Sequence, residues 1–281
     1  MKYADAHCHS NPIEGLGARE IARRFKKHGG WFIALVSLPP YHYGYTEPSI
    51  ESYRKMIELL LSEAKNIREE GLEVRVLAGF HPAEVDEYFR RGVSLEKIYE
   101  LAVKVFDLIT SYHEKGLIDG IGEVGRQHYS TAPQRLVLSE LIMIKALEYA
   151  KDHDMIVHLH LEQGGWTTVR SIEELIKLSG ISKDKVFLHH VDYETSKWAE
   201  TLGFWYTIPA KHRMLKKTLS EKHRRRVLVE SDFIDDPRRP GVSSYPWDIP
   251  LRINELINEG VIEESYVEKI MTDYVRKAYL L

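Results

Sequence analysis

Short apolar and β-branched runs recur along this chain, and longer segments of helical period separate them. Eight such runs stand out: Tyr3 to Cys8, Trp31 to Ser37, Val74 to Phe80, Ile118 to Glu123, Met155 to His160, Val186 to His189, Gly203 to Ile208 and Val227 to Ser231. Between them, apolar residues fall three and four apart. Tyr53, Ile57, Leu60, Leu61, Ala64 and Ile67 form one stripe, and Ile98, Leu101, Ala102, Val105 and Ile109 form another. Strand and helix in regular alternation predict parallel βα units, and eight of them predict a (β/α)8 TIM barrel of the α/β class. Helix stops fall just before the following strands, at Gly29-Gly30, Gly71, Gly116 and Gly180. Two helical segments, near Ile249 to Asn258 and Glu263 to Tyr279, are expected to close the barrel, and the Pro-rich stretch from Asp235 to Pro250 reads as a long loop after the eighth strand. No repeat, low-complexity tract or linker interrupts residues 1–281, which predicts a single domain.

Composition agrees with that picture. A chain of 281 residues that is 43% apolar can bury one large core, and barrels of about 250 residues fold as one unit. The net charge of −3 argues against a wholly cationic nucleic-acid coat protein while leaving room for a local basic patch. Cys8 is the only cysteine, so no intrachain disulfide can form. The opening residues run directly into Asp-Ala-His-Cys-His without a basic or apolar leader, and no apolar run reaches spanning length. The expected setting is the cytoplasm, away from membranes, and no feature specifies an oligomeric state.

The chemistry gathers at the ends of the runs. A period of two along the first strand puts Asp5, His7 and His9 on one face and Ala6 and Cys8 on the other. A lone histidine is most often a satisfied structural residue, but two imidazoles at this spacing can offer both lone pairs to one cation. Glu123, His160, His189 and Asp232 stand at or just after the C-terminal ends of strands four, five, six and eight. Active sites of such barrels form on that face, whereas residues scattered by chance would occupy both ends. A divalent-metal centre built from His7, His9, Glu123, His160, His189 and Asp232 follows as the expectation. His158 lies one pleat below His160 and, with Asp5, is expected to support the ligands from behind. His189 and His190 should face opposite ways, so that only one points inward. Cys8 reads as a core residue beneath the helices.

These residues also resemble a known family, the TatD-like metal-dependent hydrolases of the amidohydrolase superfamily. The resemblance rests on Asp5-Ala6-His7-Cys8-His9, Gly79-Phe80-His81-Pro82, Ile121-Gly122-Glu123-Val124-Gly125, Met155 to His160, Phe187-Leu188-His189 and Glu230-Ser231-Asp232, in the family's order and across nearly the whole chain. Gln134 and the helix leading to Met155 fit the family's segment there as well. The resemblance implies that His7, His9, Glu123 and Asp232 hold one metal, that Glu123 bridges to a second held by His160 and His189, and that His189 rather than His190 is the ligand. It places His81 beside the metals, against substrate or a bridging water. Arg126-Gln127, Glu162 and Phe233-Ile234 depart from the family's usual Leu-Asp, arginine and Ala-Pro, which alters the substrate side rather than the ligands.

Two cations about 3.5–4 Å apart would acidify a bridging water and supply a hydroxide, with Asp232 as the general base and Glu123 the bridging carboxylate. The imidazole-rich donor set suits zinc first, then manganese, cobalt or iron, with magnesium the poorer fit. A nuclease-like phosphodiesterase acting on single-stranded DNA or RNA is the leading expectation. Beyond the resemblance it rests on a basic stretch of Lys211, Arg213, Lys216, Lys217, Lys222, Arg224, Arg225 and Arg226, and on the aromatic loop Pro39-Pro40-Tyr41-His42-Tyr43-Gly44-Tyr45. A solvated helix face and packed tyrosines are the plainer readings of those two features. The alternative substrate is a small amide, ester or lactone, with Arg126 and Glu162 in the pocket. A third reading is a non-catalytic nucleic-acid-binding barrel, which the intact ligand set argues against.

Overall fold

The computed structural model describes residues 1–221, 224–238 and 244–281. Its strands are β1 (Tyr3–Cys8), β2 (Gly30–Val36), β3 (Glu73–Ala78), β4 (Gly120–Gly125), β5 (Ile156–His160), β6 (Val186–Leu188), β7 (Trp205–Pro209) and β8 (Val227–Glu230). They pair in parallel in sequence order from β1 to β8. The seam between β8 and β1 is closed by single contacts: Asp232 N–H donates to His7 O at 3.0 Å and His9 N–H to Phe233 O at 2.9 Å. The result is the (β/α)8 barrel that the pattern predicts.

Helices α1 (Gly17–Lys27), α2 (Ile50–Glu69), α3 (Pro82–Arg90), α4 (Leu95–His113), α5 (Pro133–Asp152), α6 (Trp166–Ser179), α7 (Tyr193–Leu202) and α8 (His212–Leu219) fall between successive strands. After β8 come α9 (Asp248–Asn258), α10 (Glu264–Glu268), a π-helical turn (Lys269–Asp273) and α11 (Tyr274–Ala278). Ser49 and Ser94 cap α2 and α4, each accepting the backbone N–H three residues on. The sequence pattern did not announce α3, a helix of 9 residues too short to show a stripe. Its start is nonetheless well specified, because Pro82 opens it, His81 Nδ1 accepts Ala83 N–H and Glu84 reaches back to His81 N–H.

Alternation along the strands divides the apolar residues into two layers. Ile33, Leu35, Val74 and Val76 pack outward beneath the helices. Phe32, Ala34, Val36, Ile156, Phe187, Trp205 and Leu228 fill the barrel, and Tyr279, just after α11, joins them from below. Ala4 and Ala6 belong to that inner layer, so Ala6 does not share an outward face with Cys8 as a strict period of two requires. The register of β1 against β2 shifts between Asp5 and Cys8, and the irregularity resets the alternation. No helix among the described residues is long and apolar enough to cross a membrane.

Candidate active site

Glu123 is the hub. Its peptide is held close to neighbouring backbone: a Cβ on Gly79 would lie 2.3 Å from Glu123 O, and one on Gly125 would lie 1.9 Å from His160 O, so only glycine fits at either place. Around its carboxylate stand His7 Nε2 at 3.3 Å from Oε1, His9 Nε2 at 3.2 Å from Oε1, His160 Nδ1 at 2.7 Å from Oε2 and His189 Nε2 at 3.6 Å from Oε2. Asp232 completes the group, with Oδ1 at 3.5 Å from His189 Nε2 and 3.9 Å from His9 Nε2. All six residues expected to hold metal are thus brought to one spot at the C-terminal mouth.

The outer ring atoms are anchored. His9 Nδ1–H donates to Val36 O at 2.9 Å, and His189 Nδ1–H donates to Glu230 Oε2 at 2.7 Å. Both rings therefore turn Nε2 toward the carboxylates. His81 is wired the other way, because its Nδ1 accepts Ala83 N–H at 3.0 Å. Its remaining proton sits on Nε2, 3.6 Å from Glu123 Oε2, which makes it a donor toward the centre rather than a lone-pair ligand.

Electrostatics follow from this crowding. Burial alone would raise Glu123, yet the His189 and His7 imidazoles hold it well below the carboxylate range. Burial likewise works against Asp232, and His189 overcomes it and keeps the acid low. Burial would lower His9 and His189, but Glu123 with Asp232, and Glu230 with Glu123, push them up instead. His7 and His81, desolvated and facing other imidazoles, are each pulled down to about 3. Two carboxylates held low among imidazole nitrogens, with ligand atoms of His7, Glu123 and His189 and of His7, His9 and Asp232 each gathered within 4.8 Å, are a donor set that a divalent cation satisfies. The donor set fits the metal.

The centre forms the floor of a cavity of about 330 Å³. Tyr41 and His42 from the 3₁₀ turn Pro40–Tyr43, then His81, His128 and Tyr129, make its walls. His7 lies beneath the floor, its ring stacked on His189 at 3.6 Å between centroids. His190 also faces the cavity, with Nε2 3.2 Å from His160 Nδ1. The expectation that only one of the adjacent histidines points inward fails here. β6 ends at Leu188, and His190 adopts φ 42°, so the pair no longer follows strand alternation. His128 was not singled out from sequence at all. Its place five residues after Glu123, past β4, was the available signal.

Other expected contacts lie elsewhere. Arg126 and Glu162 are bound to each other by two bonds of 2.8 Å, and Arg126 also reaches Glu140 at 2.9 Å and Ser171 at 2.9 Å. Neither lines the cavity, because the guanidinium turns outward to α5 and α6. Asp5 sits at the seam and accepts His7 N–H at 3.2 Å and Ser231 N–H at 2.9 Å. His158 lies below the ligands, its Nδ1 3.0 Å from His7 Nδ1. Lys216 pairs with Glu259 at 2.8 Å, away from the cavity. Of the rest of the basic stretch, Lys217 lies 3.7 Å from the centre of the Tyr193 ring, Arg224 is buried against Glu221, Ser196 and Tyr206, and Arg226 pairs with Asp184, whereas the side chains of Lys211, Arg213 and Arg225 are exposed. Lys222 falls outside the described residues. In the aromatic loop, Tyr43 is buried and donates to Ser10 O, and Tyr45 packs on the core, so of its aromatic side chains Tyr41 and His42 meet the cavity, beside Pro39.

Comparison with known proteins agrees with this geometry. The family described as TatD related DNase matches residues 4–280. An uncharacterized protein of Methanocaldococcus jannaschii is 28% identical over 283 residues, covering 99% of this chain and 96% of that protein. Among solved structures, a TatD-like protein from Archaeoglobus fulgidus superposes with a TM-score of 0.66 at 17% identity, covering 99% of this chain and 100% of the other. The phosphotriesterase homology protein from Escherichia coli, solved with phosphate in its active site, gives 0.65 at 14% identity, covering 99% and 98%.

Proposed function

The chain belongs to the TatD-related DNase family, a family of metal-dependent hydrolases, and from that premise we propose that it cleaves phosphodiester bonds of single-stranded nucleic acid. The observation that carries the reading is the convergence of His7, His9, His160 and His189 on Glu123 and Asp232, with His9 and His189 anchored through Nδ1 so that Nε2 is presented inward. His7, His9, Glu123 and Asp232 would hold one divalent cation, and Glu123 with His160 and His189 a second. Bound there, such cations would acidify a water and offset the negative charge of a phosphoryl group.

The chain's own groups have distinct tasks. Asp232 is the most exposed of these residues, its side chain 28% exposed, and His189 beside it keeps its carboxylate low against the effect of burial. It accepts the proton of the attacking water and returns it to the leaving oxygen. His81 donates from Nε2 to a phosphoryl oxygen, a role its bond from Ala83 fixes. Tyr41 and Tyr129 stand at the cavity mouth, where ring faces can stack on unpaired bases.

The decisive assay is turnover of single-stranded DNA, RNA and a chromogenic phosphodiester, before and after chelation and with zinc, manganese or cobalt restored. Metal-restored cleavage of a phosphodiester is the expected result. Turnover confined to amides, esters or lactones would replace the reading with the carbonyl alternative, which has lost the pocket positions of Arg126 and Glu162 that it invoked. Retention of nucleic acid in chelator, with no turnover once metal is restored, would instead mark a binding barrel.

A further inference from the structure

His7 reaches the centre without an obvious anchor for its outer nitrogen. Its Nδ1 meets another ring nitrogen, His158 Nδ1, at 3.0 Å, and either atom can be the donor. The ambiguity is resolved one residue further away. Tyr279 OH lies 2.7 Å from Ala6 O and 3.1 Å from His158 Nε2. A carbonyl oxygen only accepts, so the single phenol proton goes to Ala6. The phenol oxygen must then accept His158 Nε2–H. His158 is fully buried against Phe187 and Tyr279, a setting that keeps an imidazole neutral with one ring proton. With that proton on Nε2, His158 Nδ1 carries a lone pair and takes His7 Nδ1–H. His7 Nε2 is left bare, 3.3 Å from Glu123 Oε1. Two acceptors face each other across a gap that a cation fills.

We propose that Tyr279 is a positioning residue for the metal centre: through His158 it fixes His7 in the Nδ1–H tautomer and so keeps the His7 Nε2 lone pair ready for a cation. This rests on the metal reading of His7 given above. No proton is gained or lost along the chain of contacts; only which ring nitrogen carries it is decided. Tyr279 belongs to the segment that plugs the barrel from below, so the closing segment and the catalytic mouth are coupled through the barrel interior.

Tyr279→Phe removes the acceptor and keeps the ring. His158 Nε2–H then has nothing to donate to, and His158 shifts its proton to Nδ1. His7 follows, placing its own proton on Nε2 against Glu123, where a metal must compete with it.

Long-range ¹H–¹⁵N spectra of the metal-free protein report the tautomer of His7 directly, and chelator competition reports zinc affinity. The wild type should carry the His7 proton on Nδ1. Tyr279→Phe should move it to Nε2 and weaken zinc binding about tenfold or more. In a His158→Asn background, where an amide oxygen replaces the Nδ1 lone pair, the same substitution should change affinity within about twofold. A wild-type His7 protonated on Nε2 overturns the inference without requiring any variant. So does a Tyr279→Phe protein with unaltered tautomer and zinc affinity, or an equal loss in both backgrounds. If the wild type binds no zinc, the metal reading falls, while the His7 spectrum still decides the tautomer.

Discussion

Glu230 Oε2 accepts the Nδ1 proton of His189 at 2.7 Å, with Glu230 wholly buried at the end of β8. Without it the ring can rotate or exchange tautomers, and its Nε2 no longer has a fixed aim. Glu230→Ala should therefore weaken zinc binding about 10- to 100-fold. Equilibrium dialysis against a buffered zinc series checks this, and an affinity equal to wild type would remove Glu230 from the design.

Asp5 acts on the other ligand strand. Its Oδ1 takes the backbone N–H of His7 on its own strand and, across the seam between β1 and β8, that of Ser231. Asp5→Ala leaves both buried donors bare, at about 1–3 kcal/mol for each unsatisfied group. Asp5→Asn keeps an acceptor oxygen and should lose clearly less. Urea denaturation of the two variants distinguishes them.

Glu123→Gln should lower both bound metal and rate, since an amide cannot offset the charge of two cations. Elemental analysis after extensive dialysis gives metal content, and initial rates on a chromogenic phosphodiester give the second measure. Full metal content would exclude a bridging role for Glu123.

Glu84 carries a pH dependence. Burial raises its carboxyl to about 8, even though Tyr53, Tyr88 and His81 N–H donate to it. A carboxyl whose folded value lies above its unfolded one binds more protons in the native state over the interval between, so stability falls as pH rises from about 4.5 toward 8. Asp5, raised to about 7 chiefly by burial, acts in the same direction. Glu84→Gln should flatten part of this decline, as denaturation midpoints at pH 5 and pH 8 would reveal.

Arg126→Ala should reduce stability by about 1.5–3 kcal/mol, the range for hydrogen bonds to charged partners, and the half-exposure of Glu162 and Glu140 favours the lower end. Its KM for substrate should stay near wild type, because the guanidinium does not reach the cavity. A large KM increase without loss of stability would return Arg126 to the pocket.

Hydrophobic period made the barrel readable, because eight strands buried on both faces show as apolar runs and the helices between them as stripes. β1 was predicted with its observed bounds, Tyr3–Cys8. The metal-directed residues were readable for a related reason: strand ends fix where His7, His9, Glu123, His160, His189 and Asp232 emerge. What escaped depends on local departures from regular geometry. The register shift in β1 moved Ala6, the left-handed backbone of His190 turned its ring inward, and α3 was too short for a stripe. Arg126 and Glu162 differ in kind. Charge type alone cannot say whether an arginine beside a site points into it or is matched by acids on the next helices.

The residues of the proposed metal centre and one side of the cavity wall come from different strands. β1, β4, β5, β6 and β8 carry the ligand residues at or just past their ends, whereas the loops after β2 and β3 contribute Tyr41, His42, His81 and Ala83 to the cavity wall. Those two loops can be exchanged with little disturbance of the ligands. For protein engineering, the scaffold behaves as a fixed reaction head with replaceable jaws: libraries restricted to Tyr41, His42 and Ala83, with His81 kept for its part in turnover, should retarget selectivity while zinc affinity stays near its starting value.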